Sequence, residues 1–150
     1  MNICYILRGL PGTGKSMLAE TLRQGAYKPL ISHQGVAKIF STDDLFMVDG
    51  KYEFDPSKLG VNHAHNLQLA THWMMGHRIN ESRDAICIID NTNTQHWEYE
   101  KYVVAAKKCG FMVQVISIDW DAKDIPLYAE RNSHGVPEEA IQRMADRWEY

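Results

Sequence analysis

Gly9-Leu10-Pro11-Gly12-Thr13-Gly14-Lys15-Ser16 constrains this chain more than any other stretch, because it fits G-x-x-x-x-G-K-[ST]. Upstream, Asn2 to Leu7 (Asn-Ile-Cys-Tyr-Ile-Leu) is apolar and β-prone and reads as a short buried strand. Downstream, Met17, Leu18, Thr21 and Leu22 recur at helical spacing between Ser16 and Gln24. Strand, glycine loop and helix, in that order, are the setting of a phosphate-binding P-loop. Its glycines let the backbone turn tightly and bring N–H groups close to phosphate oxygens. The helix N-terminus adds partial positive charge. Lys15 has the reach for β- and γ-phosphates, and the Ser16 hydroxyl suits Mg²⁺. Gly12, Thr13, Gly14, Lys15, Ser16 and Met17 are therefore expected to bind a nucleoside triphosphate. An ordinary glycine-rich turn is the alternative, and the flanking strand and helix argue against it.

The rest of the chain alternates in the same way. Val36 to Ser41 reads as a second strand, ending in Ser41-Thr42-Asp43-Asp44, whose side chains suit the start of a short helical turn. Val48-Asp49-Gly50-Lys51 is a turn, and Phe54-Asp55-Pro56-Ser57 opens a long helix ending near Asn80. Val61, Ala64, Leu67, Thr71 and Met74 are expected to form its buried stripe. Ala85-Ile86-Cys87-Ile88-Ile89-Asp90 is a continuous apolar run ending in a carboxylate, as a central parallel strand would be. Helices are expected over Gln95 to Cys109, Asp124 to Arg131 and Glu138 to Trp148, with a strand from Phe111 to Ile118. The pattern predicts an α/β, three-layer P-loop fold in one domain spanning residues 1–150. Its sheet is mostly parallel, with about four or five strands and helices on both faces. Gly9 to Ser16, Asp43 with Asp44, and Asp90 to Thr94 then all fall at the carboxyl ends of strands, where such sheets bind ligands.

Composition removes several classes. No apolar run approaches about 20 residues, so no membrane span is expected. The N-terminus lacks a basic region before an apolar stretch, unlike a signal peptide. Three cysteines without C-x-x-C spacing argue against a disulfide framework or a zinc site, and point to free thiols in the cytoplasm. A net charge of −3 excludes a whole-protein basic footprint for duplex DNA, while a local groove for a strand end stays open.

At the expected rim, Asp90 stands where P-loop enzymes need an acid to hold Mg²⁺ beside Ser16; helix capping is the alternative. One of Asp43 and Asp44 suits a base that takes the proton of an attacking hydroxyl, and the pair also suits capping. Arg131, just before a glycine-containing break, suits a lid that closes over ATP, or is a surface cation at a helix end. His63, His65, His72 and His77 do not have H-E-x-x-H spacing, and His65 with Asn66 has the chemistry to bond a substrate. Phe46, Tyr52, Phe54 and Trp73 offer stacking surfaces or ordinary packing.

Taken together, these residues resemble the polynucleotide-kinase-like P-loop kinases, which include the kinase part of phage polynucleotide kinases and the NEDD4-binding-protein-2-like proteins. The likeness runs through Arg8 to Ser16, Ser41 to Asp44, Tyr52 to Pro56, Ala64-His65-Asn66, Ile89 to Asn93 and Arg131 to Pro137. The P-loop alone is common to many families, but the ordered set is far more specific. The resemblance implies transfer of the ATP γ-phosphate to a hydroxyl, foremost the 5′-OH of a polynucleotide end. It implies that Asp43 is the general base and Arg131 part of the lid, so that Asp43, Lys15 and Arg131 carry catalysis. Asp44, His65, Thr92 and Asn93 would seat the acceptor. Phe46 departs from the phage pattern, which has an arginine there that contacts acceptor phosphate. A kinase for a nucleoside, sugar or other metabolite therefore stays open, as does a nucleotide-hydrolysing switch without an acceptor. No 3′-phosphatase part accompanies these 150 residues, so kinase activity alone is implied.

Overall fold

The computed structural model describes residues 1–25, 35–78 and 84–150. In chain order it forms β1 (Ile3–Arg8), α1 (Lys15–Gly25), β2 (Val36–Phe40), a 3₁₀ turn (Thr42–Phe46), and the short strands β3 (Met47–Val48) and β4 (Lys51–Tyr52). A second 3₁₀ turn (Pro56–Lys58) leads into α2 (Leu59–His77), followed by β5 (Ala85–Asp90), α3 (His96–Lys108) and β6 (Met112–Ser117). A third 3₁₀ turn (Ala122–Asp124), α4 (Ile125–Arg131) and α5 (Glu138–Asp146) complete it. The loop expected between Gly25 and Gly35 and the helix end near Asn80 lie outside the described residues, flanking glycines apart.

The main sheet has four parallel strands in the order β2-β5-β1-β6. Side chains alternate across it, as a period of two requires. Cys4, Ile6, Cys87 and Ile89 enter one core with Ala70 and Met74 of α2 and Tyr102 and Ala106 of α3. Leu7 and Ile88 enter the opposite core with Ala19 of α1. Ile6, Ile88 and Ile89 are wholly buried, and each such side chain contributes about 1.5–3 kcal/mol. A third cluster joins α4 and α5 to Leu10 of the glycine loop through Ile125, Tyr128, Ile141 and Ala145. The two C-terminal helices are thus packed against the loop itself. All parallel strands point the same way, so the segments after β1, β2 and β5 share one edge.

Local chemistry explains the boundaries. Asp49 (φ 49°) and Gly50 (φ 79°) both take left-handed backbone, as the tight hairpin between β3 and β4 demands. Asp55 accepts from the Ser57 N–H ahead of Pro56, so the long helix begins with a 3₁₀ turn. Gln95 and Glu98 form a reciprocal capping box at α3.

The stripe expected on α2 needs correction. Val61 is 71% exposed and Ala64 is exposed, while the buried positions are Asn66, Ala70 and Met74. Only the second half of α2 lies on the sheet. The first half leans on the Thr42–Phe46 turn, with the Asn62 side chain donating to Leu45 O and His63 Nδ1 lying 3.0 Å from Thr42 Oγ1. A polar residue occupies a core position because the Asn66 amide donates to Tyr102 Oη at 2.9 Å.

Candidate active site

Positive φ at Gly12 (82°) and Gly14 (92°) bends the loop between β1 and α1. At Gly12 even a methyl group is excluded: a Cβ there would overlap the backbone of Tyr128, 2.7 Å from its Cα. The Gly9 N–H donates to Thr92 O at 3.1 Å, tying the loop to the segment after β5. Thr13 Oγ1 donates to Leu10 O at 2.7 Å and closes the turn from within.

Lys15 Nζ lies 3.0 Å from Asp90 Oδ1, and Ser16 Oγ donates to Asp90 Oδ2 at 3.0 Å. The lysine and aspartate side chains are only 11% and 8% exposed, so their attraction is weakly screened. A hydroxyl and a carboxylate in contact are hard oxygen donors of the kind Mg²⁺ takes. That ion uses one or two protein ligands and fills its remaining positions with water and phosphate. Ser16 and Asp90 therefore fit a Mg²⁺ site.

The acidic pair is suspended from the sheet by a buried polar network. The Thr42 N–H donates to Asn91 Oδ1 at 2.9 Å, and the Asn91 and Asn66 amides both donate to Tyr102 Oη. Burial raises the Tyr102 pKa and keeps that phenol protonated. Burial also lowers the His63 pKa below its ordinary value, so its ring is neutral against Thr42 at pH 7. Among the described residues no buried side-chain nitrogen or oxygen lacks a partner.

The two carboxylates then diverge. Asp43 accepts from Tyr52 Oη at 3.1 Å through one oxygen and lies 3.5 Å from His134 Nε2 through the other. Asp44 lines a groove of about 570 Å³ between β2 and α2, with Lys38, Phe40, His65, Asn66 and His72 among its other walls. Partial desolvation, then the charges of Asp90 and Asp43, raise the Asp44 pKa. Arg131 donates to Gly12 O through both Nε, at 3.2 Å, and a terminal nitrogen, at 2.6 Å.

The expected site residues are thus gathered unevenly. Lys15, Ser16 and Asp90 meet, Arg131 joins them through the loop, and Asp44 shares its groove with His65. Met17 is 78% exposed at the start of α1. Thr92 contributes a carbonyl to Gly9. Asn93 does not reach the rim. It is 3% exposed, adopts φ 48° and donates its amide to Leu7 O at 2.8 Å, which shapes the loop and leaves it no reach to an acceptor.

Three residues, Arg8, Asn132 and His134, had no individual role in the sequence reading, and a fourth, Tyr52, was read only as a stacking or packing ring. Arg8 is buried at the end of β1, donating to Asn93 O, Thr94 O and Glu149 O and lying over the Tyr99 and Trp148 rings. An arginine ending a central apolar strand has no exposed side to turn to, and that was its signal. Asn132 locks the segment after α4: its amide donates to Ala129 O and Val136 O, and its oxygen accepts from the Val136 N–H. Tyr52 and His134 reach Asp43 from distant segments, and local sequence carries no signal of such contacts.

A parallel sheet with this loop at the end of an inner strand, a carboxylate at the end of the neighbouring strand β5 and an acidic pair just after β2, the next strand out, defines a P-loop kinase-like protein. Residues 5–150 match the model of the AAA domain family, and the chain belongs to that family. Human NEDD4-binding protein 2 is 39% identical over 149 residues, which are 98% of this chain and 8% of that protein. Human YLP motif-containing protein 1 is 26% identical over 161 residues, covering 99% of this chain and 7% of that protein. The chain therefore spans less than a tenth of the length of these curated relatives. Among solved structures, Chaetomium thermophilum Kti12 in complex with ADP-AlF3 matches with a TM-score of 0.62 at 16% identity, over 98% of this chain and 80% of that one. Mycobacterium tuberculosis APS kinase CysC in complex with AMPPNP and APS matches with a TM-score of 0.57 at 15% identity, over 97% and 96%. At such identities the likeness is one of fold. Among the described residues no helix is long and apolar enough to cross a membrane.

Proposed function

We propose that the protein is an ATP- and Mg²⁺-dependent phosphotransferase that moves the γ-phosphate to a hydroxyl, the 5′-OH of a polynucleotide end. One observation carries this reading. The segment that bonds Gly12 of the P-loop through Arg131 also meets the Asp43 carboxylate through His134, so a phosphate cradle and a base are joined across one edge. A triphosphate site without an acceptor needs only the first.

The roles follow from the chemistry. Loop N–H groups and Lys15 hold the β- and γ-phosphates, Lys15 exchanging Asp90 for phosphate oxygens. Ser16 and Asp90 would hold Mg²⁺, which when bound neutralises phosphate charge. Arg131 neutralises charge on the transferring phosphoryl group. Asp43 accepts the hydroxyl proton as the acceptor oxygen bonds to phosphorus and the bond to ADP breaks. The groove beside Asp44 and His65 seats the acceptor, and Thr92, in the loop after β5, adds to that seat.

A second reading, a kinase for a small hydroxyl compound, is favoured by Phe46. It is 2% exposed and packed among the Tyr52 and Phe54 rings, so no cation for an acceptor phosphate comes from that position. Incubation of γ-labelled ATP with a 5′-hydroxyl oligonucleotide, with a nucleoside and sugar mixture, and with water separates the readings. Label on the oligonucleotide end is expected. Label only on small compounds would favour the second reading, and free phosphate alone in all three would overturn transfer.

A further inference from the structure

The end of α4 and the segment after it make two contacts. Arg131 grips the P-loop at Gly12 O. Three positions on, His134 lies 3.5 Å from Asp43 and its ring stacks on Tyr52, with centroids 4.2 Å apart. Between them Asn132 bonds both ends of the crook, at Ala129 O and at the N–H and O of Val136. Asn132 thereby holds the crook between Arg131 and His134 in one hydrogen-bonded shape. One Asp43 oxygen accepts from Tyr52 Oη and the other lies 3.5 Å from His134 Nε2, so residues outside its own turn meet both. Burial and the neighbouring Asp43 charge push the Tyr52 phenol well above its ordinary pKa, so it stays a donor.

We propose that Tyr52 and His134 are positioning residues that aim the Asp43 carboxylate, and that His134 couples the nucleotide side of the site to the acceptor side. This rests on the phosphotransferase reading given above. A carboxylate free to rotate presents its proton-accepting lone pair in many directions. One held by a hairpin tyrosine and a lid histidine presents it in one direction, and only while the lid lies against it. ATP that grips Arg131 thereby fixes the base for the acceptor, and water arriving without a seated lid meets a misaimed carboxylate.

Three variants test this with labelled ATP and a 5′-hydroxyl oligonucleotide. His134→Ala and Tyr52→Phe are each expected to lower kcat about ten-fold while the KM for ATP stays within about two-fold. His134→Gln keeps an N–H near the place of Nε2 and is expected to recover most of the rate; a general loss of structure would not show that rescue. Normal kcat in both His134→Ala and Tyr52→Phe, with active wild type, would overturn the inference and leave the phosphotransferase reading standing. A wild type that labels no acceptor fails that reading instead, and a second measurement then decides the inference. In histidine ring ¹H–¹⁵N spectra of the full chain, Asp43→Ala should shift the His134 signal, identified by its loss in His134→Gln. The signal of His96, which pairs with Glu149, should stay in place. An unmoved His134 signal would overturn the proposal whatever the acceptor.

Discussion

On the nucleotide side of the rim, Lys15 and Ser16 reach a single carboxylate, Asp90, from adjacent positions of one continuous motif, and the pair they form is nearly buried. On the acceptor side, Asp43 is reached by Tyr52 from a hairpin and by His134 from the segment after α4, both only partly covered. Around it Met47, Val48 and Phe54 are each between 45% and 52% exposed. The first side joins two adjacent motif residues to one carboxylate at the end of a central strand. The second is assembled from three segments, one of them the proposed lid. A rigid cradle holds a chemically constant group, a phosphate. An assembled seat can be remade for different acceptors while the cradle is left alone, which is why fold likeness identifies the first side and not the acceptor.

The largest effect should come from the rigid side. Lys15→Ala removes the point charge that faces the phosphates and is expected to abolish transfer. Lys15→Arg should also be poor, because a planar fork does not fit a site shaped for an ammonium. Turnover near that of wild type in Lys15→Ala would end the assignment of this side.

Next comes the base. Asp43→Asn keeps shape but cannot take a proton, and a loss of about 10²–10⁴-fold in transfer is expected with ATP affinity nearly intact. That split would separate the two sides cleanly. Equal losses of rate and ATP affinity would mean that they are one unit and that the contrast drawn here is false.

That contrast also explains what was legible beforehand. The P-loop, the four main strands and the Asp49-Gly50 turn are local patterns of period, glycine and apolar run, so they are visible in sequence. Val61 looked like core, because which half of α2 meets the sheet depends on where the chain crosses it. Asn93 looked like a rim residue, although the left-handed turn after β5 rotates it inward. Arg8, Asn132 and the Tyr52–His134 stack depend on contacts between distant segments, which no periodicity encodes.

Arg131 sits where the two sides meet, and a smaller change is expected there. Its guanidinium is exposed and bonds a carbonyl rather than a buried carboxylate. Arg131→Ala should slow transfer by about 10-fold or more, with a lesser effect on ATP binding, since the cation matters most as charge redistributes. If ATP binding falls while kcat holds, Arg131 belongs to the cradle alone and the lid couples nothing.

The smallest effect concerns Asp44, and it is one of stability. Partial desolvation and the charges of Asp90 and Asp43 raise its pKa in the folded protein. A carboxyl whose folded pKa is raised binds its proton more readily in the folded state than in the unfolded chain. Folding is then penalised once pH exceeds the ordinary carboxylate range, because the folded state must hold a charge it disfavours. Below that range the group is neutral in both states and the penalty vanishes. Asp44→Asn should therefore raise Tm slightly at pH 7, the gain being small because solvent screens an exposed carboxyl. The gain should fade as pH is lowered below about 4. Transfer in this variant should suffer less than in Asp43→Asn, since an amide at position 44 can still bond an acceptor in the groove, whereas Asp43 is the proposed proton acceptor. Thermal melts of both proteins at pH 7 and at low pH decide the matter. A lower Tm for Asp44→Asn at pH 7 would show that Asp44 is tied into the fold by a favourable contact, and the acceptor side would then be less loosely assembled than its exposure implies.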